Sequence, residues 1–193
     1  MSPRVVLFTR FPESGRAKTR LIPALGAERA AQLHRVLTER TVQAVRSSGL
    51  MLELRTTGAP TAAFEEWLGR LSIIDQGEGD LGNRLSRAGP PYPTIFIGAD
   101  APDLTPAHLQ LAAHELQNAS AVIGPAEDGG YWLLGLSHPV DAVFEGIEWG
   151  TSSVFGQTMD RLAAARIDPV LLPKLADCDR PEDLARWPGL ISE

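Results

Sequence analysis

Short runs of apolar residues alternate along this chain with longer stretches in which apolar positions recur every three or four residues. The runs Val5 to Thr9, Met51 to Thr56, Ser72 to Asp75, Thr94 to Gly98, Ala121 to Gly124, Tyr131 to Leu136 and Val170 to Leu172 read as strands. Several are continuous, the pattern of strands covered on both faces, which predicts an α/β fold around a mainly parallel sheet. Between them, Ala27 to Arg46 sets Ala30, Leu33, Leu37, Thr41, Ala44 and Val45 near one face of a long amphipathic helix. Thr105-Pro106 reads as an N-cap followed by a first-turn proline, opening a helix over Ala107 to Gln117. Ser152 or Ser153 opens another that runs to Arg166, and Pro181 to Leu184 forms a short terminal one. The stretch Ala88 to Pro93 is a rigid connector too short to separate two cores, so residues 1–193 are expected to form a single domain.

Composition narrows the function. A net charge of −6 argues against a general nucleic-acid binder, so any basic residues that serve phosphate must be clustered locally. Cys178 is the only cysteine, which removes a disulfide framework and a cysteine-based zinc site. His34, His108, His114 and His138 lack metal-ligand spacing and read as surface or core residues. The start MSPRVVLF is too short an apolar run for a signal peptide, and no later run approaches the roughly 18 apolar residues of a membrane span. The cytoplasm is the expected compartment.

The candidate chemistry begins directly after the first strand, in FPESGRAKTRL. Gly15, Arg16, Lys18, Thr19 and Arg20 there offer flexible backbone and cations to a polyphosphate, or else a simple turn with solvated charges. It is not a Walker A loop, because Ala17 precedes Lys18 and no glycine stands five positions before that lysine. Asp100, in IGADAPDL, lies where ligands of an open parallel sheet collect and is placed to hold a metal, whereas Asp103 reads as a cap. In PAEDGGYW, Asp128, Gly129 and Gly130 either let the backbone approach a ligand or form a tight turn. In LADCDRPEDL, Asp179 is either a helix cap or a second metal carboxylate meeting Asp100. The stretch Gly77 to Gly82 matches GxGxxG, which makes a dinucleotide-binding oxidoreductase a rival. Glu78 and Asp80 would repel a pyrophosphate there, so a loop near a base or ribose, or a plain turn, is preferred.

Taken in order, FTRFPESGRAKTRL, QGEGDLGNRL, IGADAPDLTP, GPAEDGGYWLLGL and CDRPEDL resemble a bacterial family of small proteins often labelled glycosyltransferases. That family is similar to the nucleotide-diphospho-sugar transferase superfamily, which includes molybdopterin nucleotidyltransferases and 2-phospholactate guanylyltransferase. The resemblance spans nearly the whole chain and implies a GT-A-like three-layer α/β/α sandwich, mostly parallel with one antiparallel strand. It implies Lys18 and Arg20 as catalytic cations on the nucleotide phosphates, and Asp100 and Asp179 as ligands of Mg²⁺ or Mn²⁺. Arg10, Gly15, Arg16, Thr19, Gln76, Gly77, Arg84, Asp128, Gly129 and Gly130 are the expected nucleotide or substrate contacts. The first loop departs from the GxGxR pattern of typical sugar nucleotidyltransferases. The expected activity is nucleotidyl transfer from a nucleoside triphosphate to a small-molecule acceptor. Glycosyl transfer from a nucleotide sugar is the alternative, and a non-enzymatic nucleotide-binding module the third.

Overall fold

The apolar runs become the seven strands of one sheet in a computed structural model that describes residues 2–191. In chain order the elements are β1 (Arg4–Arg10), α1 (Ile22–Leu25), α2 (Ala27–Ser48), β2 (Met51–Thr57), α3 (Thr61–Leu68), β3 (Ser72–Asp75), α4 (Leu81–Ala88), β4 (Thr94–Ile97), α5 (Pro106–Glu115), β5 (Ala121–Pro125), β6 (Tyr131–Leu136), α6 (Val154–Ala164) and β7 (Val170–Leu171). Short 3₁₀ helices cover Thr19–Leu21, Asp141–Phe144, Pro181–Arg186 and Pro188–Ile191. The terminal segment predicted as an α-helix is therefore 3₁₀, and α1, α3 and α4 lie outside the helices predicted from the sequence.

Strand order is β3-β2-β1-β4-β6-β5-β7. β1 pairs in parallel with β2 and β4, β2 with β3, and β5 with β7, while β6 runs antiparallel to both β4 and β5. This is the expected three-layer sandwich with one antiparallel strand. Successive strand side chains point to opposite faces, and here both faces are covered. Val5 and Leu7 pack with Val45 of α2, Phe64 of α3 and Leu109 of α5, whereas Val6 and Phe96 pack with Leu85 of α4 and Leu162 of α6. That double burial is why the strands read as continuous apolar runs.

Local chemistry sets the helix starts. The Thr105 hydroxyl accepts the His108 N–H at 3.4 Å, and His108 Nδ1 accepts the Thr105 N–H at 3.2 Å, ahead of Pro106 in the first turn. Asp80 caps α4 by accepting the Asn83 N–H at 2.8 Å. Its carboxylate thus occupies the position a pyrophosphate would need in the dinucleotide reading, and β3 is an edge strand rather than the strand at the switch point. A Cβ on Gly82 would lie 2.3 Å from the Phe144 carbonyl, so the last glycine of that stretch seats a neighbouring loop on α4. Arg4 fixes the lower end of β1. It pairs with Glu53 at 2.5 Å and donates to the carbonyls of Ala88 at 2.6 Å, Gly89 at 3.0 Å and Pro90 at 2.5 Å, which ties the connector to the sheet.

From β1 the chain moves outward to β2 and β3, then returns on the other side of β1 as β4. The loops leaving the C-terminal ends of β1 and β4 therefore diverge and open a crevice. No helix among the described residues is long and apolar enough to cross a membrane.

Candidate functional site

The loop after β1 is anchored by Ala17, which is fully buried, and by Leu21, buried at the end of the 3₁₀ turn. Between them Lys18 takes a left-handed conformation, φ 48°, uncommon for a residue with a side chain. The consequence is directional: its side chain turns inward and is only 4% exposed. Nζ lies 2.6 Å from Asp100 Oδ1, 2.8 Å from Asp179 Oδ1 and 2.6 Å from the Cys178 carbonyl oxygen. Arg20 adds an ion pair to the other oxygen of Asp179 at 3.2 Å, with 55% of its side chain exposed. The Cys178 N–H donates to the Asp100 carbonyl at 2.8 Å, which binds the C-terminal segment to the end of β4. Asp179 is not the cap of the 3₁₀ helix Pro181–Arg186, whose N-cap residue is Arg180, and Asp183 within that helix accepts the N–H groups of Asp179 and Arg180 at 3.0 and 2.7 Å. Asp103 likewise serves the fold, accepting the Trp187 indole N–H at 3.0 Å.

Burial alone would lower the basicity of Lys18, but the charges and hydrogen bonds of Asp100 and Asp179 outweigh it and the ammonium is held more firmly protonated than usual. Burial works to raise Asp100, and the Lys18 charge beside it wins, holding the carboxyl below its usual range. Asp177 is pushed up to about 8, by burial first and then by Asp128, Asp100 and Asp179. The crevice therefore carries more carboxylate than its lysine neutralises.

That excess bears on metal binding. Asp100 and Asp179 aim one oxygen each at a single point, now held by the Lys18 ammonium, and oxygen donors converging on one point suit a hard divalent cation. Among the described residues no group of three or more His, Cys, Asp or Glu side chains is arranged to hold a metal ion. A Mg²⁺ or Mn²⁺ ion here would rest on this pair and complete its shell with water and substrate oxygens, the usual habit of Mg²⁺.

Around the pair lies a cavity of about 500 Å³ lined by Arg10, Arg16, Lys18, Thr19, Arg20 and His34. The fold thus brings together seven of the sequence-predicted residues, Asp100 and Asp179 included. Asp128 and Gly130 line a second cavity, which shares Arg20 and Asp179 with the first. Gly129 has φ +91°, and a Cβ there would meet the Ser152 carbonyl oxygen at 2.2 Å, so it lets the hairpin between β5 and β6 rest on the loop before α6. Gln76 is buried and donates to the carbonyls of Thr9 at 3.1 Å and Arg55 at 3.0 Å, while its oxygen accepts from Arg84 at 3.2 Å. These two residues brace the ends of β1 and β2, and Gly77 and Gly15 turn the chain at positive φ.

Sequence reasoning passed over His34. It sits on the buried face of α2, within 3.0 Å of the Arg10 carbonyl and 3.4 Å of the Thr9 hydroxyl, and forms part of the cavity wall. Burial lowers its pKa, against the opposing pull of Asp100, and keeps it neutral. The available signal was a polar residue between Leu33 and Leu37 on an otherwise apolar stripe.

Residues 36–151 match the family described as "Uncharacterized protein conserved in bacteria (DUF2064)". No curated protein matches the chain. Among solved structures, a protein from Desulfovibrio desulfuricans G20 labelled a nucleotide-diphospho-sugar transferase superposes with a TM-score of 0.89 at 32% identity, over 95% of this chain and 85% of that one. Rv0371c from Mycobacterium tuberculosis H37Rv, solved in complex with manganese, gives 0.58 at 18% identity over 100% of each chain. CMP:2-keto-3-deoxy-manno-octonic acid synthetase complexed with CTP gives 0.58 at 12% identity over 100% of this chain and 99% of that one, a likeness of fold.

Proposed function

The chain belongs to the DUF2064 family, and from that premise we propose that it is a metal-dependent transferase that moves a nucleotidyl group from a nucleoside triphosphate to a small acceptor. One observation carries the reading. Two carboxylates from distant parts of the chain converge on one cation position at the switch point, and cations line the adjoining 500 Å³ space. The sugar-nucleotide label of the 32% identical relative and the manganese and CTP complexes of the two more distant folds support nucleotide and metal as the ligands.

Asp100 and Asp179 would hold the metal, which when bound supplies positive charge against the phosphate oxygens. In the reaction an acceptor oxygen bonds to the α-phosphorus while the bond to the bridging oxygen breaks, and pyrophosphate leaves with the electron pair. Arg20, half-exposed beside Asp179, is positioned to take part of the charge that gathers on the leaving group. Arg10 and Arg16 line the same space and hold the outer phosphates. Lys18 keeps the carboxylates compensated until another cation takes its place, after which its ammonium is free to turn to phosphate. The preference over glycosyl transfer rests on this number of cations, more than a diphosphate already held by a metal requires.

The test is a thermal-shift panel of nucleoside triphosphates and nucleotide sugars with Mg²⁺, followed by pyrophosphate release. A triphosphate at about 100 times its dissociation constant adds roughly 2.7 kcal/mol of stability, raising the melting temperature by about 5 to 10 °C. A nucleotide sugar should give less. The reverse order, with no pyrophosphate released, would establish glycosyl transfer instead.

A further inference from the structure

The second cavity differs in kind from the basic one beside it. It encloses about 260 Å³ between the ends of β1 and β4, the start of α4, the β5–β6 hairpin and the loop before α6. Its walls are Phe8, Leu85, Phe96, Tyr131, Trp149 and Val154. Among the described residues its charged lining is Arg20, Asp128 and Asp179. All three also line a neighbouring cavity on the C-terminal segment, so the charges lie at the shared mouth and the interior is apolar. Leu81, an exposed leucine at the first position of α4, continues the apolar wall toward solvent.

On the reading that this is a nucleotidyltransferase, we infer that the apolar cavity is the acceptor subsite, that it takes a small alcohol with an aromatic or branched aliphatic body, and that Asp128 receives the hydroxyl proton. At about 260 Å³ the cavity is of a size for a small molecule. A nucleobase fits the walls poorly, because its polar edge would be buried against Phe8, Leu85, Phe96 and Val154, which offer it no hydrogen bond. The charge at the mouth selects the head group. In the proposed reaction Arg20 serves the leaving group and Asp179 the metal, which leaves Asp128 to face the acceptor, and a carboxylate there favours a neutral hydroxyl over a phosphate or carboxylate. Asp128 Oδ1 accepts the Gly130 N–H at 2.8 Å and is fixed by it, while Oδ2 has no hydrogen-bond partner among the described residues. In the step assigned to it, the acceptor O–H bond breaks, its proton passes to Asp128 Oδ2, and the oxygen bonds to the α-phosphorus as pyrophosphate departs. The neighbouring glycines have a reason to be small. Gly129 brings the hairpin against Ser152 and Gly82 brings the Trp149 loop against α4, and each closes one wall of the cavity.

The experiment uses the full chain with 3-phenylpropan-1-ol and 3-methylbut-3-en-1-ol, set against 3-phenylpropanoate and glycerol. Binding is read without nucleotide from tryptophan fluorescence, and turnover as pyrophosphate release from a mixture of nucleoside triphosphates with Mg²⁺. Saturable binding of the alcohols is expected, at least tenfold tighter than the acid, with glycerol inert. Asp128→Asn keeps the oxygen that accepts from Gly130 and should bind the alcohols as tightly as the wild type, yet release pyrophosphate about 100-fold or more slowly. Preference for the acid or for glycerol, binding by neither alcohol, displacement of the alcohols by a free nucleoside, or full turnover by Asp128→Asn would each overturn the inference. Thermal shift by a triphosphate with Mg²⁺, measured on the same samples, tests the underlying reading separately. If that shift persists while the alcohols fail, only the acceptor assignment falls.

Discussion

Arg4 and Lys18 are both buried cations near the two ends of β1, and the fold uses them in opposite ways. The Arg4 fork meets one carboxylate that is itself enclosed, Glu53 at 15% exposure, and its remaining donors end on backbone carbonyls of the connector. Every direction around it is filled by protein. Lys18 instead faces two carboxylates that remain 47% and 37% exposed on a cavity wall. A planar guanidinium with fixed donors suits a permanent joint, and a single ammonium on a flexible stem suits a contact that is given up. The lower end of the sheet is thus closed around its charge, while the upper end leaves its charge exchangeable.

Removing each cation should separate these roles, and the larger effect falls on the fold. Arg4→Met leaves Glu53 without this partner and strips donors from four connector carbonyls, so a loss of about 3 to 5 kcal/mol is expected. In a domain of this size that lowers the melting temperature by roughly 6 to 20 °C. Folded Arg4→Met at low temperature should still bind a triphosphate as the wild type does, and a loss of affinity there would break the contrast.

Lys18→Met should act mainly on ligands. With the ammonium gone, Mn²⁺ alone, followed by electron paramagnetic resonance, should bind more tightly because Lys18 no longer competes for the two carboxylates. Triphosphate affinity should fall by about 10- to 100-fold, the worth of one charge-assisted hydrogen bond, with nucleoside affinity unchanged. Unaltered Mn²⁺ binding would mean that Lys18 and the metal do not share a position.

The contrast also marks what the sequence could disclose. Strands β1, β4, β5 and β6 were legible to within a residue or so because each is a run buried on both faces, as Val5, Val6 and Leu7 are. The α5 cap was legible because Thr105-Pro106 acts locally. Helix α3 was not, since its eight residues bury only Phe64 and Leu68 and offer a single helical repeat. Long-range meetings left no local trace. Lys18 is separated from Asp179 by 161 positions, and only the crossover from β1 to β4 and the Cys178 to Asp100 hydrogen bond bring them together. The charge of Lys18 was legible, but not the backbone conformation at φ 48° that turns it toward Asp100 and Asp179.

His34 supplies the smallest effect and a third kind of buried base, one kept neutral. The groups that act on it are Asp100, which favours its protonation, and Lys18 and Arg10, whose charges oppose it, while burial lowers its pKa most of all. The unfolded chain takes up a proton near its ordinary value of about 6.5, where the folded imidazole is still neutral. At this residue the unfolded state then binds more protons, so the stability that His34 contributes is full above about 6.5 and declines as pH falls below it. Arg4 contributes no slope in this window, because a guanidinium stays protonated throughout. Urea unfolding at about pH 7.5, 6.5 and 5.5 reads the difference. His34→Gln keeps a donor for the Arg10 carbonyl and cannot titrate, so its stability should fall less between the first and last of these pH values than that of the wild type. Equal slopes in the two proteins would show that His34 takes up its proton as readily folded as unfolded, and the upper end of the sheet would then hold its charge no differently from the lower.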